Sequence, residues 1–304
     1  MANSTSPLVT TPPIRISNAT EYDPLRTVVM SLAADGSALS GALRAADVAL
    51  FHQMLRNRAR PFDSGLVREQ QQHVMDVLRE EGATVLLATN TDSLSQHFTR
   101  DIGFAIDDAF IVARPRREQR QEELRGIRHH VSRMSRVIHL DSGTIEGGDV
   151  MLPDRDTVLV GLSEETSLVG VEALTHSLKA AGIERRIEVL RFRHRGTIHL
   201  DTKFNVIAPN LALIWAQGFE PASLRWLRDH FDLIEATRGE CRRVEINTFS
   251  VGPDAVIMQE RSKRLADKVA DHGLRPILVD YSEVTTVPGS FRCSTLPLER
   301  ESGA

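Results

Sequence analysis

Four pairs of short apolar runs, each pair joined by a tight polar turn, follow one another after Asp101. They cover residues 102–105 with 110–113, 149–152 with 157–161, 204–207 with 211–215, and 248–251 with 255–258. Asp, Asn, Pro and Gly fill the turns, and these residues favour the sharp reversals of β-hairpins. The pattern therefore predicts four similar hairpins along one chain.

Helix-like segments and further strands lie between and before these hairpins. Residues 163–181 carry leucine and valine near helical spacing and end before Gly182, a typical helix end. Similar patterns predict the helices 64–81, 221–230 and 262–272 and the strands 27–32, 83–87 and 276–279. Each unit thus reads strand–turn–strand–helix–strand, and the period of roughly 45–55 residues is typical of radial or stacked architectures.

The domain organisation follows from the same series. No Gly/Ser-rich linker interrupts the units, so we expect one domain over residues 19–304, with an ordinary α/β sandwich of accidental spacing as the alternative to a radial arrangement. Residues 1–18 are predicted to be a flexible tail. Their first 13 residues are rich in Ser, Thr and Pro and lack the basic and apolar regions of a signal peptide.

Composition argues against several classes of protein. With 41% hydrophobic residues the chain can form a full core, and it has no run of about 18 apolar residues that would cross a membrane. A net charge of −4 gives no basic field for nucleic acid. The two cysteines, Cys241 and Cys293, cannot form a disulfide framework. We therefore expect a cytoplasmic protein whose thiol chemistry would rest on one cysteine.

Two residue types with catalytic potential stand in the second half of the chain. Cys293 follows a Pro-Gly turn that could present it to a cleft, although a free cysteine is more often a small buried hydrophobe. In an extended segment His199 and Asp201 would lie on one face. His199 could therefore be an oriented acid/base or a structural histidine, and too few further ligands accompany it to predict a metal site.

Acidic residues open three of the units. Glu146 precedes two glycines, which permit close approach, so its carboxylate is suited to bind a planar cation. Asp149 either assists it or fixes the turn, and Asp101 stands before a strand, where capping aspartates are common. If the units are arranged radially, these carboxylates and Asp201 converge on Cys293. Such a group suits a cationic substrate.

Five segments together resemble the guanidino-group modifying enzymes, or penteins: residues 21–26, 98–104, 145–149, 199–202 and 292–297. This superfamily includes arginine deiminases, dimethylarginine dimethylaminohydrolases and amidinotransferases. The segments occur in the family's order and span nearly the whole chain. The resemblance implies an α/β fold, a five-bladed propeller of repeated ββαβ units. The four hairpin repeats would be blades, the N-terminal third would complete the ring, and the site would lie on the central axis.

The resemblance also implies roles for individual residues. Cys293 would be the nucleophile and His199 the general acid/base, with Glu146 as the third catalytic residue. The substrate-binding residues would be Asp101, Asp201, Arg120 and Asp149, with Arg120 holding a substrate carboxylate. The partner would be a small guanidine; no metal or other cofactor is implied, and a homodimer is possible because family members often dimerise.

The reaction implied is hydrolysis of a C–N bond in a guanidine or amidine through a covalent Cys293 thiouronium. An amidinotransferase, in which an amine replaces water, uses the same residues, and a non-catalytic pentein that only binds a partner is a third interpretation. One departure concerns the substrate. Glu165 stands where the family often has an arginine that clamps an α-carboxylate. A carboxylate there would attract an amine and disfavour free arginine.

Overall fold

The computed structural model describes residues 12–34, 63–93 and 95–301, which form five sheets of three strands each. Sheet I contains β1 (Leu25–Met30), β2 (Thr84–Leu87) and β15 (Leu296–Arg300), and sheet II contains β3 (Gly103–Ile106), β4 (Ala109–Val112) and β5 (Val137–His139). Sheet III contains β6 (Val150–Met151), β7 (Thr157–Leu162) and β8 (Arg186–Arg191). Sheet IV contains β9 (Phe204–Ala208), β10 (Leu211–Ile214) and β11 (Asp232–Glu235), and sheet V contains β12 (Phe249–Gly252), β13 (Ala255–Gln259) and β14 (Arg275–Val279).

All five sheets share one strand pattern. The middle strand pairs antiparallel with one neighbour and parallel with the other. In sheets II to V the antiparallel pair is a tight hairpin, whereas the parallel pair needs a longer crossover connection. The four hairpins predicted from the sequence are confirmed, with their ends displaced by no more than one residue.

Helices fill the crossovers. They are α1 (Ser64–Glu80), α2 (Glu118–Glu123), α3 (Arg128–Val131), α4 (Leu168–Ala180), α5 (Pro221–His230) and α7 (Lys263–Asp271), while α6 (Arg238–Arg242) connects sheets IV and V. Helix α4 begins at Leu168 rather than at the predicted residue 163. The side chain of Ser167 accepts a hydrogen bond from Gly170 N and so caps the helix at that point. Residues 163–166 form a turn instead. No helix among the described residues is both long and apolar enough to span a bilayer.

Five hydrophobic clusters close the sheets into a ring. Each cluster combines buried residues of two neighbouring sheets: I with II, II with III, III with IV, IV with V, and V with I. Successive side chains of a strand point to opposite faces, so one strand can serve two clusters. Val28 and Met30 enter the cluster shared with sheet V, and Val29 enters the cluster shared with sheet II. The result is the five-bladed propeller expected from the repeats.

Sheet I is built from both ends of the described chain. Strand β15 pairs antiparallel with β1, in the position that a hairpin strand occupies in the other sheets. The buried Arg300 donates hydrogen bonds to Asp23 O (2.6 Å) and Ser250 O (2.8 Å), which ties this blade to sheet V. The N-terminal third therefore completes the ring only together with the C-terminal strand, which the sequence patterns did not predict.

The segment before β1 is packed against the ring. Ile14 and Ile16 are buried in the cluster that sheets I and II share, and Ser17 N donates to Leu298 O (2.9 Å). The flexible tail predicted for residues 1–18 is therefore wrong for residues 14–18, because their apolar side chains fill this cluster. Residues 1–11 lie outside the described part of the chain. The single domain over 19–304 stays a prediction.

Candidate active site

Three short 3₁₀ turns place aspartates at equivalent points of consecutive sheets. The turns Thr99–Ile102, Gly147–Asp149 and Leu200–Thr202 precede the first strands of sheets II, III and IV. Asp101, Asp149 and Asp201 occupy them, and all three are buried. The first turn contacts the second and the second contacts the third. The convergence predicted for a radial arrangement is therefore present.

A cavity of about 460 Å³ lies at this convergence. Its walls include Asp101, Glu146, His199 and Cys293. Cys293 stands in the turn before β15, lines the cavity and is 2% exposed. The structure thus brings the thiol, the imidazole and two of the predicted carboxylates to one place from four parts of the sequence.

His199 lies between two carboxylates. Its Nε2 is 3.1 Å from Glu146 Oε2, and its Nδ1 is 3.5 Å from Asp101 Oδ1. Burial by itself would lower the pKa of the imidazole, but the charge of Asp101 and the hydrogen bond with Glu146 raise it well above the ordinary value of 6.5. The protonated form of His199 is therefore favoured. Gly148 leaves room for the ring, because a Cβ there would lie 2.6 Å from His199 Cγ.

Asp101 and Glu146, which both line the cavity, each have a carboxylate oxygen without a hydrogen bond to the described residues. Asp101 Oδ1 and Glu146 Oε1 are buried and make no hydrogen bond with other described residues. Burial raises the pKa of Asp101 to about 6, against the opposing charges of His199 and Arg120. Burial also favours neutral Glu146, but the hydrogen bond with His199 and the charge of Arg120 bring its pKa below the usual value. Free buried acceptors of this kind suit the N–H groups of a planar cation.

The Cys293 sulfur lies next to Asp201, with Sγ 3.6 and 3.8 Å from the two carboxylate oxygens. Burial and the charges of Asp201 and Asp101 raise the pKa of the thiol well above its ordinary value. The neutral thiol is therefore favoured at pH 7. A positive charge brought close to the sulfur would shift the balance towards the reactive thiolate.

Asp201 lies behind the thiol rather than in the cavity wall. It is fully buried, and Arg292 Nη1 donates to its Oδ2 at 3.1 Å. Arg292 also binds both carboxylate oxygens of Glu21, at 3.0 and 3.3 Å. Burial opposes the charge of Glu21, but Arg292 and Arg100 lower its pKa to about 2. The aspartate predicted to bind substrate is thus held by an internal ion-pair network, in contact with the sulfur.

Asp149 fixes the turn that carries His199. Its Oδ1 accepts from Leu200 N (2.9 Å) and its Oδ2 from Ser163 Oγ (2.5 Å). Burial raises its pKa to about 7 in spite of these bonds and of the charge of His199. Asp149 is not among the residues that line the cavity. Its position matches the turn-fixing alternative and not the predicted substrate-binding role.

Arg120 lines the cavity, but its charge is matched inside the protein. Its guanidinium lies 3.2 Å from Asp101 Oδ2 and 3.1 Å from Glu123 Oε2, and it donates to Phe98 O at 2.9 Å. Burial raises the pKa of Glu123 to about 7, against the charge of Arg120. This arrangement differs from the open clamp for a substrate carboxylate that the resemblance implies.

Glu165 is buried in the cavity wall and is bound on one side only. Arg117 donates to its Oε1 at 2.8 and 3.1 Å, while Oε2 makes no hydrogen bond with other described residues. Arg116 lies 3.6 Å from a carboxylate oxygen of Glu164. All three arginines that line the described cavity, Arg116, Arg117 and Arg120, therefore face a carboxylate.

Three residues of the site were not predicted. Arg117 and Glu123 stand in a run of charged residues around Arg120, where the sequence gives no reason to single out one of them. Asn247 Oδ1 accepts from Cys293 N at 3.1 Å, and this residue is uncharged. The repeat does contain a signal for it: Asn247 stands two residues before β12, as Asp101 stands two residues before β3.

The same side chains have the spacing of a metal site. One ligand atom each of Asp101, Glu146 and His199 lies within 4.8 Å of the other two. A histidine binds a metal ion only as the neutral imidazole. Because the two carboxylates hold His199 in its protonated form, a metal ion would have to displace that proton.

Comparison with known proteins identifies the family and the fold of the chain. The family model described as "Arginine deiminase" matches residues 91–230, which contain Asp101, Glu146 and His199. The uncharacterized protein YkgA of Bacillus subtilis (strain 168) is 33% identical over 235 residues, which is 76% of this chain and 80% of YkgA. The chain belongs to the guanidino-group modifying, or pentein, superfamily.

Solved pentein structures match nearly the whole chain. SxtG, an amidinotransferase from Microseira wollei in the saxitoxin biosynthetic pathway, superposes with a TM-score of 0.77 at 16% identity over 95% of this chain and 98% of SxtG. A dimethylarginine dimethylaminohydrolase, solved as an adduct with S-methyl-L-thiocitrulline, gives 0.74 at 23% identity over 90% and 99%. The N-terminal domain of ArgZ, a cyanobacterial arginine dihydrolase, gives 0.76 at 18% over 91% and 98%. These likenesses confirm the pentein fold.

Proposed function

We propose that this pentein hydrolyses a C–N bond of a guanidine or amidine through a covalent intermediate on Cys293. The observation that carries the proposal is the pair of buried oxygens without a hydrogen bond to the described residues, Asp101 Oδ1 and Glu146 Oε1, in the wall of the cavity that also contains the thiol and His199, whose protonated form is favoured. A guanidinium is planar, cationic and rich in N–H donors. It can satisfy both oxygens and also supply the positive charge that the thiolate needs.

Binding activates the nucleophile in this mechanism. The guanidinium donates charge-assisted hydrogen bonds to Asp101 and Glu146, each stronger than a neutral bond. Its charge then compensates the carboxylates that disfavour the Cys293 thiolate, so the thiol loses its proton to solvent. Asp201, fixed by Arg292, stays beside the sulfur and orients it. Metal chemistry is not required, because the substrate brings its own positive charge.

The covalent steps then use one residue for proton transfer. Sγ of Cys293 forms a bond to the central carbon, and an electron pair moves to a guanidine nitrogen. His199 gives its proton to the departing nitrogen as the C–N bond breaks, because the amine is a poor leaving group without it. The thiouronium that remains is attacked by water, whose proton His199 takes. As the C–S bond breaks, the second proton of the water passes to solvent, and the ureido product and the thiolate are released.

An amidinotransferase is the second candidate. It would use the same residues, with an amine in place of water in the second half of the reaction. The high coverage of SxtG, 95% of this chain, supports keeping this alternative. A pentein that only binds a partner is less well supported, since it would not need a buried thiol and a histidine held between two carboxylates in one cavity.

The cavity wall favours a guanidine that carries an amine over free arginine. The three arginines of the described cavity wall each lie near a carboxylate, so none of them is an unmatched charge for an α-carboxylate. Glu165 instead offers its Oε2 as a free acceptor. An ammonium group on the substrate would satisfy that oxygen.

The test is turnover with a panel of guanidines. Pure protein is incubated with arginine, methylated arginines, agmatine and smaller guanidines, with and without amine acceptors, and ureido product and released amine are measured. We expect ureido product from one class of guanidine, in an amount that a chelator does not change. Cys293→Ala should give no product but should still bind the substrate. Product only in the presence of an amine acceptor would replace the hydrolase by the transferase. Turnover by Cys293→Ala would overturn both.

A further inference from the structure

Asn247 is fully hydrogen bonded in the turn of Cys293. Its Oδ1 accepts from the backbone N–H groups of Cys293 and Ser290, both at 3.1 Å. Its Nδ2 donates to Asp201 O at 3.1 Å and to Cys293 Sγ at 3.2 Å. The two backbone N–H groups can only donate, so they fix which end of the amide is the oxygen. The side chain is 1% exposed and directs an N–H group at the sulfur.

A strained turn presents this amide. Val244, between α6 and Asn247, has a φ of 51°, and it is the sole β-branched residue with positive φ among the described residues. Left-handed backbone is unfavourable for a β-branched side chain and occurs where the surrounding structure enforces it. Gln259 provides that enforcement. Its Nε2 lies 3.0 Å from Val244 O and 3.1 Å from Ser290 Oγ, so one amide joins the strained turn to the Cys293 loop.

The other groups around the sulfur have opposing effects. Asp201 and Asp101 disfavour the thiolate, whereas Arg292 and the backbone of Ser290 favour it. The charges of Arg120 and the phenol of Tyr281 also interact with the sulfur. Among the described residues, Asn247 is the one whose side-chain N–H group donates a hydrogen bond to the sulfur. A hydrogen bond to a charged acceptor is worth more than one to a neutral acceptor, so the contact strengthens when the thiol ionises.

We propose that Asn247 binds the Cys293 thiolate by donating its side-chain N–H to Sγ, and that the left-handed Val244 turn exists to hold it there. The inference deepens the proposed function, because a thiolate is the nucleophile that function requires. It also assigns a role to the turn of sheet V that is equivalent to the aspartate turns of sheets II, III and IV.

The test is the pH dependence of Cys293 alkylation, which needs no substrate and therefore stands even if no guanidine is turned over. Native protein and Asn247→Asp are treated with iodoacetamide from pH 6 to 11, and the peptides of Cys293 and Cys241 are quantified separately by mass spectrometry. Asn247→Asp keeps the shape and the two accepted bonds, replaces the N–H donor by an acceptor oxygen and adds a carboxylate whose charge also disfavours the thiolate. We expect its Cys293 profile to move to higher pH by about one unit, which is about a tenfold lower rate at pH 8.

Asn18→Asp is the matched control. Asn18 is also buried and its side-chain amide donates to Ala105 O. Asn18→Asp therefore removes a buried amide donor that makes no described hydrogen bond with Cys293. Its Cys293 profile should stay at the native position. Coincident profiles for the native protein and a folded Asn247→Asp would overturn the proposal.

A second measurement covers the case in which Asn247→Asp does not fold. In native protein labelled with ¹⁵N at asparagine, the Asn247 side-chain amide signal should shift with the same midpoint as Cys293 ionisation, and this titration should vanish in Cys293→Ala. An Asn247 signal that does not follow the thiol would refute the contact.

Discussion

Glu165 presents one buried carboxylate oxygen to the cavity while Arg117 occupies the other. If this oxygen receives an ammonium group, Glu165→Gln should lower kcat/KM for agmatine by about tenfold, because a charge-assisted hydrogen bond is replaced by a neutral one. The value for arginine should change little or rise. The measurement is the ratio of the two kcat/KM values.

Glu172→Gln, on the exposed side of α4, is the control for a general change of charge. It should leave the ratio as in the native protein. Equal losses of kcat/KM for both substrates in Glu165→Gln would show that Glu165 does not discriminate between agmatine and arginine. Turnover itself would still uphold the proposed reaction.

Asp149 has a consequence for stability. Its pKa is raised by burial to about 7 from an ordinary 3.8, so between these values the folded protein holds a proton that the unfolded chain has lost. By linkage, the contribution of Asp149 to stability is full below pH 3.8 and falls as the pH rises towards 7. Asp149→Asn cannot titrate, so its free energy of unfolding should fall less steeply over this interval. Urea unfolding at a series of pH values measures the difference, and parallel curves would contradict the assignment.

At the level of elements, the glycine turn before β6 controls the place of His199. A Cβ on Gly148 would meet His199 Nδ1 at 2.6 Å and Asp101 Oδ1 at 2.7 Å, so the imidazole and the carboxylate must move apart. We expect Gly148→Ala to lower kcat at least about 100-fold, as misplacement by about 1 Å does elsewhere. Steady-state kinetics with the substrate found above measures this loss.

Gly252→Ala provides the comparison. The nearest atom to a Cβ at Gly252 is Asp254 Oδ1 at 3.3 Å, in a hairpin turn whose side chain can adjust. This variant should keep its activity. If Gly148→Ala were as active as Gly252→Ala, the imidazole would not be confined as the geometry requires.

Much of the blade design could be predicted because a hairpin is a local structure. Its turn residues and β-branched runs are adjacent in sequence, and they identified eight strands correctly. The sequence patterns did not predict strand β15, because Pro297 lies inside it. Proline lacks the N–H of a ladder, yet β15 is an edge strand, paired only with β1 in its sheet, where proline is tolerated. The start of α4 was misplaced because a polar turn and a helix cap have similar composition.

The site was predictable where charge and repeat position coincided, as at Asp101 and Glu146. The pairing of Arg120 with Asp101 was not, because it depends on how two blades meet rather than on any local pattern. Asn247 carries no charge and belongs to no charged motif. Its contact with Cys293 spans 46 residues and joins the segments before and after the three strands of sheet V, which no local pattern predicts.

At the scale of the whole molecule, ring closure depends on β15. Removing residues 296–304 would leave β1 without its antiparallel partner and expose the two clusters on either side of sheet I. We expect this truncated protein to lose its cooperative unfolding transition, measured by circular dichroism during heating. A chain that stops after Glu301 keeps all of β15 and should unfold like the native protein. Cooperative unfolding of the shorter chain would mean that four blades suffice.

The closing strand also determines when the protein can first act. Strand β1 is made long before β15 during translation, so a growing chain on the ribosome cannot assemble sheet I until β15 has been made. Cys293 and Arg292, which shortly precede β15, reach their partners only after the other four blades have been made. Until then β1 presents an unpaired edge, the kind of surface that chaperones protect. A chain that stops before Cys293 therefore lacks the thiol of the cavity, and one that stops before β15 cannot close the ring.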